Sequence, residues 1–162
     1  MRFDHTVKTG AAPGDVWAVW ADVARWPGWD IELESASVEG GRLALGARGT
    51  LKPRRGPASR LVVSEFESGE GYAFVTRLPL CDLVVRRRLG EDGDGGTAFT
   101  HEVAFVGPLS FLFGAILGGR FRAALPRVME SVRRIAERRT EAEHTSLRTS
   151  KAGGDDERKG AR

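Results

Sequence analysis

His101 and Arg87 are the two side chains of this sequence best suited, by type and position, to act on a bound molecule. Each lies in a segment that alternates apolar and polar residues, the pattern of a strand with one buried face. In Thr97 to Val106, His101 shares its parity with Phe99, Val103 and Phe105. In Leu83 to Leu89, Arg87 shares its parity with Leu83, Val85 and Leu89. In Tyr72 to Leu78, the matching set is Tyr72, Phe74, Thr76 and Leu78. Successive side chains of a strand point to opposite faces. If these are the concave faces, aromatic and aliphatic walls surround two polar groups on the two arms of one hairpin. That is the usual make-up of a small-molecule pocket. The sharper reading makes His101 a general acid/base and Arg87 a partner for an oxyanion or carboxylate. The plainer one makes His101 a satisfied inward histidine or a donor to a ligand, and Arg87 a member of a surface cluster with Arg86 and Arg88. A one-residue bulge would reverse the facing of either.

Other candidates carry less. Glu65 shares parity with Leu61 and Val63, which would turn it inward, and burial would then raise its pKa and make it an acid. Its neighbour Phe66 supports the opposite facing equally well. Asp30, after Trp29 at the start of a strand, reads as a cap or mouth residue, and Tyr72 as packing. His5, His101 and His144 are scattered, and no His, Cys and carboxylate cluster stands at metal-ligand spacing, so no metal is expected. A dinucleotide or phosphate loop is missing too, Gly93 to Gly96 being a hairpin turn. No nucleophile elbow occurs, and no cofactor is expected. Cys81 is the single cysteine, which forbids an internal disulfide and suits a reducing compartment.

These residues must be positioned by a simple series of elements. Phe3 to Lys8 reads as a strand. A helix follows from Pro13, which fits a first helical position, to about Ala21, and a shorter one covers Val23 to Trp26. Six strands come next, Ile31 to Val38, Ala47 to Lys52, Leu61 to Glu67, Tyr72 to Leu78, Leu83 to Leu89 and Thr97 to Val106. Their short linkers, rich in Gly, Pro and Asp, imply sequential antiparallel hairpins. Leu109 to about Arg139 reads as a long helix with Leu117, Phe121, Leu125, Val128, Val132 and Ile135 on one stripe, and Pro126 predicts a kink. After Thr140 the apolar pattern stops, so residues 140–162 are expected to form a polar, disordered tail behind a domain of residues 1–139. The fold class is therefore α+β, a curved antiparallel seven-stranded sheet in the order β-α-α-β₆-α, wrapped around one long C-terminal helix.

Pro13-Gly14-Asp15-Val16-Trp17, Trp26-Pro27-Gly28-Trp29, Gly96-Thr97 leading to His101, and Gly107-Pro108-Leu109 before a long helix resemble the SRPBCC superfamily. This is the START / Bet v 1-like group, and the nearest branch is the bacterial polyketide cyclase/dehydrase-like proteins. The resemblance covers about residues 1 to 139 and implies a helix-grip fold with a deep apolar cavity between sheet and C-terminal helix. It carries over no catalytic residues. Trp29, Phe113, Leu117 and Phe121 then join the strand residues Tyr72, Phe74, Val85, Arg87, Phe99, His101, Val103 and Phe105 as candidate wall residues.

The expected function is carriage or sensing of a small hydrophobic molecule, such as a lipid, polyketide or isoprenoid. A cyclase or dehydratase using acid/base chemistry in the same cavity is the alternative, and a partner-binding stress-related module is a third. The net charge of +3 and pI of about 9.5 reflect an arginine excess on solvated surface. The helix arginines lack the interleaved aromatics of a nucleic-acid site, so no nucleic acid is expected. The N-terminal residues form no apolar signal core. The run Leu109 to Leu117 falls short of the roughly 20 residues a bilayer span needs. A cytoplasmic protein without stable membrane insertion, monomeric or weakly dimeric, is the expectation.

Overall fold

A computed structural model describes residues 1–156. The strands are β1 (Arg2–Thr9), β2 (Leu33–Val38), β3 (Arg48–Pro53), β4 (Ser59–Glu67), β5 (Gly71–Leu78), β6 (Cys81–Glu91) and β7 (Thr97–Val106). They form one antiparallel sheet in the order β1-β7-β6-β5-β4-β3-β2. Helix α1 (Pro13–Ala21) and a 3-10 turn (Val23–Gly28) lie between β1 and β2, and helix α2 (Ser110–Asp156) follows β7. This is the helix-grip architecture the pattern implies, with the curled sheet closed along one side by the β1–β7 pairing.

Local chemistry explains the joints. Pro13 opens α1, where its missing N–H costs nothing. Gly107 has φ +125, and a Cβ there would meet the Leu80 carbonyl oxygen at 2.9 Å, so only glycine lets β7 turn into α2 this close to the β5–β6 turn.

Two helical elements share the inner face of the sheet. Helix α2 packs on β1, β7 and β6, laying Leu125, Val128, Met129, Val132 and Ala136 into the core. The segment from α1 through the 3-10 turn covers the middle of the sheet with tryptophans: Trp17 meets Phe66 and Tyr72, Trp20 meets Tyr72 and Phe99, and Trp26 stacks on Tyr72 and Phe74.

The C-terminal expectation needs correction. Helix α2 does not end near Arg139 but continues to Asp156, so residues 140–156 are helical rather than a disordered tail. The turn at 137–140 is pinned to the first helix. The Thr140 hydroxyl donates to the buried Asp15 carboxylate at 2.5 Å, Arg139 stands 3.5 Å from the same carboxylate, and Glu137 accepts from Thr9. Beyond it, helix-forming Glu, Ala and Arg continue the backbone pattern without an apolar stripe. The last six residues of the expected tail lie outside the described residues. Pro126 sits within α2, which runs through it as one continuous element. Among the described residues, no helix is long and apolar enough to cross a membrane.

Candidate functional site

The register of the sheet sets four polar or amphipathic side chains in one line. His5 of β1 pairs with His101 of β7, His101 with Arg87 of β6, and Arg87 with Tyr72 of β5. All four carry the inward parity of Phe3, Phe99, Val85 and Phe74. Arg87 is 1% exposed and His101 5%. The parity that groups Arg87 and His101 with apolar neighbours is thus the facing observed, and it separates Arg87 from Arg86 and Arg88 on the outer face.

Arg87 is the centre of this rung. Its Nε–H donates to His101 Nε2 at 3.3 Å, and a terminal N–H donates to the Tyr72 hydroxyl. The guanidinium carbon lies 4.5 Å from the Trp26 ring centre, 4.8 Å from Trp29, 5.4 Å from Tyr72 and 5.8 Å from Phe74. Among the described residues it has no carboxylate within 4.0 Å. Desolvating a cation costs several kcal/mol. Desolvated cation–π contacts of about 2 kcal/mol and charge-assisted hydrogen bonds of about 1.5–3 kcal/mol offset it.

The partners of Arg87 respond to it and to burial. Burial, and then the Arg87 charge, hold the His101 imidazole well below its ordinary value, so it is neutral. Because Nε2 accepts from Arg87, the remaining proton sits on Nδ1. Burial pushes the Tyr72 phenol up to about 12, against the opposing pull of Arg87. Burial also raises the Asp30 carboxyl, and Arg87 only partly counters it. Asp30 accepts from the Glu32 backbone N–H at 3.0 Å, the capping role its position suggests. Among the described residues, two buried polar atoms lack a partner: Trp29 Nε1, on the ring beside Arg87, and Thr76 Oγ1, on the inward side of β5.

The other predicted wall residues divide. Trp29, Tyr72 and Phe74 surround Arg87, while Val85 and Phe99 flank it along the inner face. Phe105 lies further along, against Phe3 and Phe121, beneath the first half of α2. Val103 is buried, and Phe113 and Leu117 pack partly buried on the core, away from the Arg87 rings.

Glu65 is a correction. The register shifts between Val63 and Glu65, so Glu65 pairs with Ala73 and leaves the parity of Leu61 and Val63. It faces outward, bonded to Arg86 with one contact at 2.8 Å, and that bond holds its carboxyl below the usual range. An inward acid with a raised pKa is therefore excluded at this position.

The open cavity implied by the resemblance is also corrected at this rung, where the tryptophans of residues 17–29 close over Tyr72, Phe74 and Arg87. A concavity of about 290 Å³ opens beside the rung, at the β4–β5 turn and the adjoining part of β6; Tyr72 and Arg87 contribute to its lining together with Glu65, Phe66, Glu70 and Arg86, and no residue of α2 does. Trp26, the ring closest to Arg87, reads in the sequence only as a residue that docks a short helix. His5 reads there as isolated, because the β1–β7 pairing that brings it to His101 spans almost the whole chain.

Among the described residues, no group of three or more His, Cys, Asp or Glu stands close enough to hold a metal ion.

Residues 1–139 match the family model described as polyketide cyclase / dehydrase and lipid transport. No curated protein matches the sequence. Among solved structures, the di-domain ARO/CYC protein StfQ of the steffimycin biosynthetic pathway superposes with a TM-score of 0.68 and 15% identity, covering 85% of this chain and 51% of StfQ. The chain thus spans about half the length of that protein. Protein MLL2253 of Mesorhizobium loti gives 0.67 and 17%, covering 85% and 98% of the two chains. The protein Ara h 8.0201 gives 0.59 and 12%, covering 82% and 97%. At these identities the likeness is one of fold.

Proposed function

The chain belongs to the polyketide cyclase/dehydrase and lipid transport family, and on that footing we propose that it binds a small, mainly apolar molecule carrying one acidic or enolic oxygen. The ligand lies on the inner face of the sheet, its apolar body against Tyr72, Phe74, Val85 and Phe99 and its oxygen on Arg87. The observation that carries this reading is a fully buried guanidinium held by ring faces and neutral hydrogen bonds, with no carboxylate within 4.0 Å among the described residues and half-buried Asp30 as an acid its charge reaches from further off. An anionic oxygen is the partner such a group lacks. Trp29 Nε1 and Thr76 Oγ1, both orphaned, offer further polar contacts on the same side. Entry requires Trp29 to swing away from Arg87, a motion that the 3-10 turn and Gly28 beside it can absorb. The module acts in the cytoplasm as a carrier or sensor, without a cofactor.

A second reading keeps the same pocket and adds chemistry. The Arg87 guanidinium and Tyr72 hydroxyl converge as an oxyanion clamp that would stabilise an enolate. StfQ, an ARO/CYC protein, shares the fold. In this reading His101 is not the base, because its Nε2 lone pair is already engaged by Arg87.

Native mass spectrometry of protein purified from a cell extract, followed by organic extraction, tests the binding claim. A stoichiometric apolar acid or enol is the expected result. Empty protein that also refuses fluorescent fatty-acid and polyketide probes contradicts it.

A further inference from the structure

The first half of α2 is apolar on the side that faces solvent. Phe111 is 69% exposed and Ile116 64%, with Leu112 and Ala115 also exposed between them. A surface helix ordinarily puts charge there. Residues 110–119 carry none. The patch extends beyond the helix. Leu109 N–H donates to the Leu80 carbonyl at 3.2 Å, which sets the β5–β6 turn, with Leu80 70% exposed, at the start of α2. Val106, at the end of β7, is exposed on the way into the same corner, and Met1 packs against Gly114 and Gly118 on the adjoining side of the helix.

Along the helix, the charges that border the patch are of one sign. From 103 to 129 the chain has no carboxylate, and its only charges are Arg120, Arg122 and Arg127. Arg120 is paired with Glu32, but Arg122 and Arg127 have no ion pair among the described residues. Arg122 follows Phe111, and Arg127 follows Ile116, by eleven residues, or about three helical turns, so each arginine lies on the same line as an exposed apolar residue.

We propose that this corner, made by Leu80, Phe111, Leu112 and Ile116 with Arg122 and Arg127 behind them, docks the protein on an anionic lipid surface. The apolar end of α2 enters the boundary of headgroups and acyl chains, and the arginine band meets lipid phosphates and carboxylates. A second copy of the chain fits less well, because residues 103–129 would offer it arginines and no carboxylate, the acids nearby being Glu32, already paired with Arg120, and the half-buried Asp82 across from Val106. The docking is peripheral, since no described helix can span the bilayer. It uses none of the Arg87 rung, so it stands apart from the ligand reading, and its test involves no ligand.

The experiment is flotation of the full chain with vesicles of phosphatidylcholine alone or mixed with phosphatidylserine. The wild type floats with the phosphatidylserine vesicles and is released by salt. The double variant Phe111→Ser, Ile116→Ser loses at least about tenfold in partitioning, the scale of withdrawing large apolar side chains from burial. Arg122→Gln with Arg127→Gln removes the preference for phosphatidylserine. All four side chains are exposed, so unchanged thermal melts verify that the variants fold. The proposal is overturned if the wild type floats with neither vesicle or if Phe111→Ser, Ile116→Ser floats as well as the wild type. A wild-type dimer that this double variant dissolves, without any vesicle binding, also overturns it and makes the corner a self-association surface.

Discussion

Arg86 and Arg87 are adjacent on β6 and face opposite sides of one sheet, and their surroundings differ in kind. On the outer face Arg86 has two carboxylates, Glu65 and Glu102, the second at 2.7 Å, with Arg2 and Arg88 close by. Each arginine there has a carboxylate within reach, and the partly exposed Glu65–Arg86 pair is screened by solvent. On the inner face Arg87 has two indole rings, a phenol and a neutral imidazole. A sheet that needed only a satisfied arginine could have used the outer arrangement on either side. The inner rung holds a cation with no carboxylate within 4.0 Å among the described residues, only the more distant pull of half-buried Asp30, and on the proposed reading this asymmetry separates a structural ion pair from a binding site.

Experiments that remove one side of this contrast should differ in size. The largest effect is expected from Trp26→Ala, which removes the buried ring nearest Arg87 and costs about 3–5 kcal/mol, read by urea denaturation. Arg87→Met follows. It replaces the buried cation with an apolar chain of similar length, so it should weaken an acidic ligand by about ten- to hundredfold, the worth of a charged hydrogen bond of about 1.5–3 kcal/mol. Its cost in stability should stay below that of Trp26→Ala, because the charge's desolvation penalty disappears with it.

The pH dependence isolates His101. Its folded pKa lies well below the unfolded value of 6.5, so the imidazole is neutral in both states above that pH and contributes no slope. Below it the unfolded chain takes up a proton that the folded chain does not, and stability falls with pH by up to about 1.4 kcal/mol per unit until the folded pKa is reached. Asp30 has the opposite sign: its raised carboxyl pKa means that acidification relieves a penalty. His101→Gln should therefore flatten the loss just below pH 6.5 in a pH series of chemical melts and leave the Asp30 contribution in place. The smallest effect belongs to the outer rung. Glu65→Gln should cost no more than about 1 kcal/mol, diminish in salt, and leave ligand affinity unchanged. A large loss of binding from Glu65→Gln would break the contrast between the two faces.

The element order, the hairpins and the inward facing of Phe99, His101 and Arg87 can be read from the sequence, because alternation with period two is local. The facing of Glu65 cannot, since a bulge near Val63 leaves no mark in composition and turns every later residue of β4 over. The closure over Arg87 was illegible for a different reason. Trp26 and Trp29 reach it from a 3-10 turn whose tertiary position no periodicity encodes. The extent of α2 escaped the apolar-stripe criterion because its last turns rely on backbone propensity and on the Asp15–Thr140 bond rather than on a buried face.

The most direct test of the role of Arg87 compares a fluorescent fatty acid with its methyl ester, titrated into the wild type and Arg87→Met. The wild type is expected to bind the acid well above the ester, and Arg87→Met to remove that preference while retaining the ester. Equal affinity for acid and ester in the wild type, or a preference that survives Arg87→Met, would contradict the role assigned to the buried cation.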